Sequence, residues 1–226
     1  MPVTPVMELA GPAGAGKTAV LRAMAARDPG VRAGVRVDRV RGLPGVVWHA
    51  IALTPALADL LFTDPRWVWP GLRHLGRLRT LPAAIHGRDN GRTRATVLDE
   101  GPVFSLARLA VFQRAALGNG WLAREWRSAL ERAAQLLDAV VLLDAPNELL
   151  AERIRSRTKS HAIKDSSDRQ VFDFLDRYRA AYRDIVSQLA ACGHTRVVEL
   201  DGTATLEQIA MEALGVLEPV AAERRT

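Results

Sequence analysis

Two hydrophobic rhythms run along this chain. Short apolar runs, VMELA (Val6–Ala10), ATVLDEG (Ala95–Gly101), AVVLLDAP (Ala139–Pro146) and TRVVELDG (Thr195–Gly202), have the length and density of buried strands. A further run, AGVRVDRV (Ala33–Val40), alternates apolar and polar residues and predicts the second strand in chain order. Between these runs the apolar positions recur at helical spacing. Helices are predicted over Lys17–Arg27, Val103–Leu117, Trp121–Leu137, Asp168–Ala191 and along TLEQIAMEALGVL, Thr205–Leu217. Another starts at Asn147, read as its cap, and reaches Arg157. Gly45–Phe62 has helical spacing broken at Pro55, and Thr63–Arg94, rich in proline and tryptophan, yields no assignment. Strands alternating with helices imply one α/β domain over 1–226. Its core is a five-stranded parallel sheet with helices on both faces, and ligands bind beyond the carboxyl ends of the strands.

The first strand runs into GPAGAGKT, which fits G-x-x-x-x-G-K-[ST] with Gly11, Gly16, Lys17 and Thr18 in the fixed places. Glycines let backbone wrap a phosphate chain closely, so the amides around Gly11, Ala13, Gly14, Ala15 and Gly16 form an anion nest. The helix beginning at Lys17 adds its positive dipole end, the ammonium reaches the outer phosphates, and the Thr18 hydroxyl is a Mg²⁺ ligand. The plain alternative is a tight strand-to-helix turn with a solvated lysine. The strand before and the helix after favour nucleoside triphosphate binding.

Such a loop serves kinases, switches and motor ATPases alike, so other residues must decide. ATVLDEG ends a strand in two acids: Asp99 is the candidate for the metal shell and Glu100 for polarising a nucleophile, against a turn or capping role for both. In NELLAERIRSRTKSHAIKD, Arg153 and Arg157 lie four apart on one predicted helical face, with Lys159 just beyond. Like charges so placed repel unless an anion lies between them, and a transferring phosphoryl group is such an anion. The competing reading is a solvated basic helix end. Of three lysines in the chain, Lys17, Lys159 and Lys164, two fall in this stretch.

Composition narrows the classes. The chain of 226 residues carries 31 Lys+Arg against 25 Asp+Glu, a basic balance that suits anionic ligands without naming one. One cysteine, Cys192, excludes an internal disulfide and is read as a buried or half-buried helix residue. Neither a run long enough to span a bilayer nor a signal-type start is visible, which leads to the expectation of a cytoplasmic protein without membrane contact. An N/T-K-x-D guanine reader and a serine-glycine-glycine transporter signature are both missing, disfavouring GTPases and ABC-type ATPases.

The order of glycine loop, strand-end acids, an apolar strand ending LDAP, and a helix ending in a basic cluster resembles the P-loop nucleoside and nucleotide kinase group, above all deoxynucleoside and thymidylate kinases. ERIRSRTK is similar to their lid pattern R-I-x-x-R-x-[RK] at Arg153, Ile154, Arg157 and Lys159. FLDRYRAAYRDIV is similar to the long helix after the lid, and VVELDGTATLEQI to the last strand and adenine loop. The resemblance implies the three-layer P-loop NTPase fold with a basic lid at 157–167 and a helical acceptor-binding insert at 41–94. It also implies ATP and Mg²⁺ as cofactors, Thr18 and Asp99 holding the metal, and Lys159 beside the nucleotide. The general base stays open among Asp38, after the second strand, Asp99 and Glu100. In that group the strand-end acid is commonly followed by an arginine that grips the acceptor; Glu100 and Gly101 stand here instead, which favours a neutral hydroxyl acceptor. The insert holds Trp48, Trp67, Trp69, His74 and seven arginines from Arg66 to Arg94, which either stack on and bind the acceptor or form packed helices with a solvated face. The implied activity is transfer of the γ-phosphoryl group of ATP to a nucleoside, a nucleotide or another small hydroxylated molecule such as an antibiotic. Nucleic acid is disfavoured as a partner and a homodimer is left open. The rival reading is a P-loop ATPase or switch acting on a protein or nucleic acid, with Glu100 activating water.

Overall fold

The computed structural model of the chain describes residues 4–34, 68–86, 93–113, 117, 120–157 and 162–223. Its elements in chain order are β1 (Val6–Ala10), α1 (Lys17–Arg27), β2 (Val31–Ala33), α2 (Val68–His86) and β3 (Ala95–Leu98). There follow α3 (Pro102–Phe112), α4 (Gly120–Leu136), β4 (Ala139–Asp144), α5 (Asn147–Arg155), α6 (Asp168–Ala191), β5 (Arg196–Asp201) and α7 (Leu206–Glu223).

All five strands are parallel, in the order β2-β3-β1-β4-β5. The most apolar strands are central. Every residue of β1 and β3 is buried, whereas no residue of β5, at the edge, is buried. Helices α1 and α7 pack together, and α3 packs against α2, α4 and α6. These are the helix layers of the three-layer α/β fold that the alternation of strand and helix patterns predicts. No helix among the described residues is long and apolar enough to cross a membrane.

Several boundaries differ from the sequence pattern, each for a local reason. The second strand is Val31–Ala33, with Val31 paired to Ala95, and it ends at Gly34, whose φ of 66° leaves the extended region. Residues 35–67, with the rest of AGVRVDRV, Asp38 and the Gly45–Phe62 pattern, lie outside the described residues. Across the stretch that gave no assignment runs α2, with Pro82 inside it. A proline there removes one intrahelical bond, but Leu75, Leu78, Leu81 and Ile85 recur on one face and are all buried, and that packing outweighs the loss. Asn147 opens α5 without capping it. Its side chain accepts a bond from Arg179 at 2.8 Å and donates to Asp176 at 3.0 Å. Cys192, the C-cap of α6, is exposed rather than buried.

Two ion networks tie the helices to this frame. Arg179 of α6 donates to Asp144 at 2.6 Å and to the Ala145 carbonyl at 3.1 Å, pinning α6 to the carboxyl end of β4. Glu125 of α4 is 6% exposed and takes Arg79 of α2 at 2.9 and 2.6 Å and Arg132 at 2.8 Å. The arginine bonds outweigh the burial that opposes ionisation and hold the Glu125 carboxyl below its ordinary range. Replacing Glu125 with glutamine breaks the charge-assisted pairs while keeping the shape. It is expected to lower stability by roughly 1–3 kcal/mol in denaturant titrations, with the slope unchanged.

Candidate active site

The loop from Gly11 to Gly16 joins β1 to α1 at the carboxyl edge of the sheet. Gly14 adopts a φ of 89°, and a Cβ there would lie 2.7 Å from the Leu150 carbonyl oxygen; one on Gly11 would fall on the Leu143 carbonyl oxygen. The loop is thereby pressed against β4 and α5, which only glycine permits. The first turn of α1 carries no acidic side chain, so nothing opposes an anion at its positive end. Lys17 folds back over the loop, its Nζ donating to the Gly11 carbonyl at 2.8 Å and the Pro12 carbonyl at 2.9 Å. Desolvation, and then the charge of Arg157, lower its pKa to about 8.

The Thr18 hydroxyl donates to an Asp99 carboxylate oxygen at 3.0 Å, which brings the two candidate metal ligands together. A hydroxyl beside a carboxylate is a hard-oxygen donor pair of the kind Mg²⁺ takes. No group of three or more His, Cys, Asp or Glu occurs among the described residues, so this pair fits an ion shared with phosphates and water rather than an all-protein cage. Glu100 has a separate place. Arg77 of α2 meets its carboxylate at 3.2 Å and also donates to its backbone carbonyl, while 56% of the Glu100 side chain remains exposed. An arginine 23 residues upstream, on α2, thus pairs with the second strand-end acid. Beside it His74 is buried, 5.8 Å from the Phe104 ring, and is held neutral with a pKa lowered to about 4 by burial and then by Arg108, Arg77 and Arg73.

The loop, Lys17, Thr18, Asp99 and Glu100 border a cleft of about 610 Å³, a size suited to small-molecule ligands. Its lining includes the loop with Lys17, Thr18, Arg22 and Arg157, and the acids Asp99 and Glu100 that follow β3. The rest comes largely from Phe104 and Arg108 of α3 and from Phe174, Tyr178 and Tyr182 of α6. The α6 rings are four residues apart, with centroids 4.6 Å apart for Phe174–Tyr178 and 6.2 Å for Tyr178–Tyr182. Burial pushes the Tyr178 phenol up to about 12 and that of Tyr182 well above the ordinary value, so both stay protonated. Sequence reading missed this wall, although F-x-x-x-Y-x-x-x-Y at helical spacing was the signal for it.

The basic cluster divides. Helix α5 stops at Arg155, so Arg153 and Arg157 do not share a helical face as the pattern predicts. Arg157 reaches the cleft, whereas Arg153 donates to the Gly202 carbonyl at 3.0 Å, beyond β5. Lys159 and Asp38 lie outside the described residues. Of the insert aromatics, Trp69 is 81% exposed, and Trp48 and Trp67 also lie outside them.

One functional candidate escaped the sequence entirely. Glu8, in the middle of β1, is fully buried, and its carboxylate accepts the backbone amides of Gly101 at 2.9 Å, Val103 at 2.8 Å and Phe104 at 2.8 Å. Burial raises its pKa to about 7 against those bonds and Arg77, which lower it. Its only advance signal was an acid inside an otherwise apolar strand.

No family model matches this chain. It is 32% identical over 88 residues to an adenylate kinase of Xanthomonas campestris pv. campestris (strain 8004), and 34% identical over 89 residues to one of Stenotrophomonas maltophilia (strain R551-3). Each match covers 39% of this chain and 46% of the relative, so the chain spans about half the length of the curated relatives it matches. In structure it is similar to deoxyadenosine kinase from M. mycoides with bound dCTP, at a TM-score of 0.54 and 10% identity, over 95% of this chain and 99% of that one. The same enzyme with products dCMP and a flexible dCDP bound gives a TM-score of 0.50 over the same shares. The fold is therefore the one seen in that nucleoside kinase.

The environment of Glu8 gives a measurable pH dependence. Its carboxyl titrates near 4.5 when unfolded and about 7 when folded, so between these values the folded state holds the extra proton. The stability of the native chain relative to Glu8→Gln is expected to fall as pH rises from about 4.5 to about 7 and to level above that. The total is on the order of 3 kcal/mol, readable from paired thermal melts. The groups facing it are Arg77 from α2, Lys17 from the loop and Tyr182 from α6, all present in both proteins.

Proposed function

We propose that this chain is an ATP-dependent small-molecule kinase that moves the γ-phosphoryl group of ATP to a hydroxyl of a nucleoside or nucleotide. The observation that carries this reading is the lining of the cleft. It gathers a phosphate loop, a paired hydroxyl and carboxylate, an exposed acid and four aromatic rings. The likeness to adenylate kinases and to the fold of deoxyadenosine kinase supports it.

In this reading the amides at Gly11, Ala13, Gly14, Ala15 and Gly16 cradle the phosphates, and Lys17 turns from the Gly11 and Pro12 carbonyls to the outer phosphates. Thr18 and Asp99 would hold Mg²⁺, which when bound neutralises phosphate charge. The acceptor lies against Phe104, Phe174, Tyr178 and Tyr182, with its hydroxyl toward Glu100. Attack forms the bond from acceptor oxygen to γ-phosphorus and breaks the bond from γ-phosphorus to the β,γ-bridging oxygen. The hydroxyl proton passes to the Glu100 carboxylate and ADP leaves. Arg77, held on Glu100, keeps the carboxylate aimed, and Asp38 stays the competing base. Arg157, with Lys159, closes over the transferring group, and exclusion of water prevents idle hydrolysis. Arg153 has a supporting part through the loop at Gly202.

ADP release measured with a panel of nucleosides, nucleotides and other hydroxylated compounds tests the assignment. The expected result is turnover that depends on one acceptor class. Fast hydrolysis indifferent to every small acceptor, but raised by a protein or nucleic acid, would overturn it in favour of an ATPase or switch. Arg157→Ala is expected to lower kcat on the order of 10²- to 10³-fold with ATP affinity changed only a few-fold. Arg153→Ala acts mainly on affinity for ATP. The lowered pKa of Lys17 adds a proton-linkage test. A triphosphate favours the ammonium form, so ATP affinity is expected to fall as pH rises through about 8. Calorimetry at that pH, in buffers of differing ionisation enthalpy, reports the accompanying proton uptake.

A further inference from the structure

An acid in the centre of a fully buried strand is costly, and Glu8 is 0% exposed. Its three acceptor bonds define what it does in the fold. Oε1 takes the amides of Gly101 and Phe104, and Oε2 takes that of Val103. Position 102 is proline and has no amide, so one carboxylate satisfies every donor from the N-cap to the third residue of α3. Helices are ordinarily capped by the side chain of the N-cap residue itself, but here that residue is Gly101. The cap comes instead from a strand 93 to 96 residues earlier. Any Cβ at position 101 would overlap the Glu8 carboxylate, so the glycine and the acid are complementary.

The register adds the decisive constraint. Glu8 stands opposite Leu98, the last residue of β3, in the parallel pairing of β1 with β3. The backbone of this one residue thus lies beside the start of the Asp99–Glu100 turn, and its side chain grips the end of that turn at Gly101. We propose that Glu8 is a positioning residue for phosphoryl transfer. By clamping both ends of this two-residue turn it fixes the Asp99 carboxylate against Thr18 and the Glu100 carboxylate toward the acceptor. The assignment rests on the kinase reading for its catalytic consequence, but not for the geometry it governs. Among the contacts described the glycine loop makes no hydrogen bond to Glu8, which acts on the phosphate site through its charge near Lys17, and binding in EDTA reads that influence separately from turn placement.

Four proteins test it: Glu8→Gln, Glu8→Ala, Gly101→Ala and the double variant Glu8→Ala/Gly101→Ala. Each is checked by circular dichroism and thermal melting, by titration with a fluorescent ATP analogue in EDTA and in Mg²⁺, and by steady-state kinetics. Glu8→Gln is expected to stay folded and bind the analogue in EDTA within about twofold of the native protein. The gain in affinity on adding Mg²⁺ is expected to shrink, and kcat to fall about 10²-fold, the scale of a misplaced catalytic group. Gly101→Ala reproduces these losses, and the double variant is no worse than Glu8→Ala, since removing the carboxylate leaves room for the new methyl. Native-like kcat and Mg²⁺ response in Glu8→Gln would overturn the proposal. So would losses in EDTA binding and melting temperature that account for the whole effect, or full additivity in the double variant. If the native protein phosphorylates no acceptor, the kinase reading fails separately, and the Mg²⁺ response together with the Glu8–Gly101 coupling decides the role of Glu8.

Discussion

Strands β1 and β3 lie side by side and parallel, with Met7 opposite Val97 and Glu8 opposite Leu98, and the cleft is a consequence of that register. Each strand ends at the same edge of the sheet, so the glycine loop leaving β1 and the acids leaving β3 emerge next to one another. Thr18, eight residues past the end of β1, thereby meets Asp99, the first residue past β3, at 3.0 Å. A slip of one residue would turn every side chain of a strand to the other face and separate the two. The burial of all nine residues of β1 and β3 makes such a slip prohibitive, so the precision of the site comes from the hydrophobic core beneath it.

Electrostatics divides the cleft by task. Lys17, Arg22 and Arg157 stand around the loop, and burial, then repulsion from Arg157, depresses the Lys17 pKa. Cations gathered on one face in this way favour whatever anion relieves them, which is the electrostatic form of a phosphate site. Around Glu100 the charges are matched instead. Arg77 meets Glu100, and His74 among Arg73, Arg77 and Arg108 stays neutral because a further positive charge there would be buried among three others. The rings of Phe104, Phe174, Tyr178 and Tyr182, with Arg108 among them, offer stacking faces beside the paired carboxylate.

What could be read from the chain beforehand was what local chemistry determines. Glycine at 11, 14 and 16 followed by Lys17 and Thr18 has few uses other than a phosphate loop, and two acids at a strand end have few uses beside one. Four of the five strands followed from apolar runs long enough to be buried on both faces, while the second, read from alternation over Ala33–Val40, lies at Val31–Ala33. Arg77 could not be read, because its pairing with Glu100 requires α2 to lie across the mouth of β3, and nothing near Arg77 in sequence announces this. Glu8 was passed over for a related reason: its partners are 93 to 96 residues away and are backbone amides, which carry no residue-type signal. Arg153 and Arg157 were misplaced relative to one another by assuming that α5 continued to 157, two residues past its end at Arg155. The α6 wall was readable and overlooked, since rings four apart on a long helix also serve as ordinary core.

That wall has a graded exposure: 9% at Phe174, 4% at Tyr178 and 1% at Tyr182. Eight residues of α-helix rise about 12 Å, so the three rings mark successive depths on a rigid rod fastened to β4 through Arg179 and Asp144. A rod that cannot slide is a depth gauge. Under the proposed kinase reading, these rings would gauge an acceptor by its length, the more exposed Phe174 meeting longer molecules before the deeper Tyr182. Selection would then turn on how far a compound reaches, one helical turn at a time.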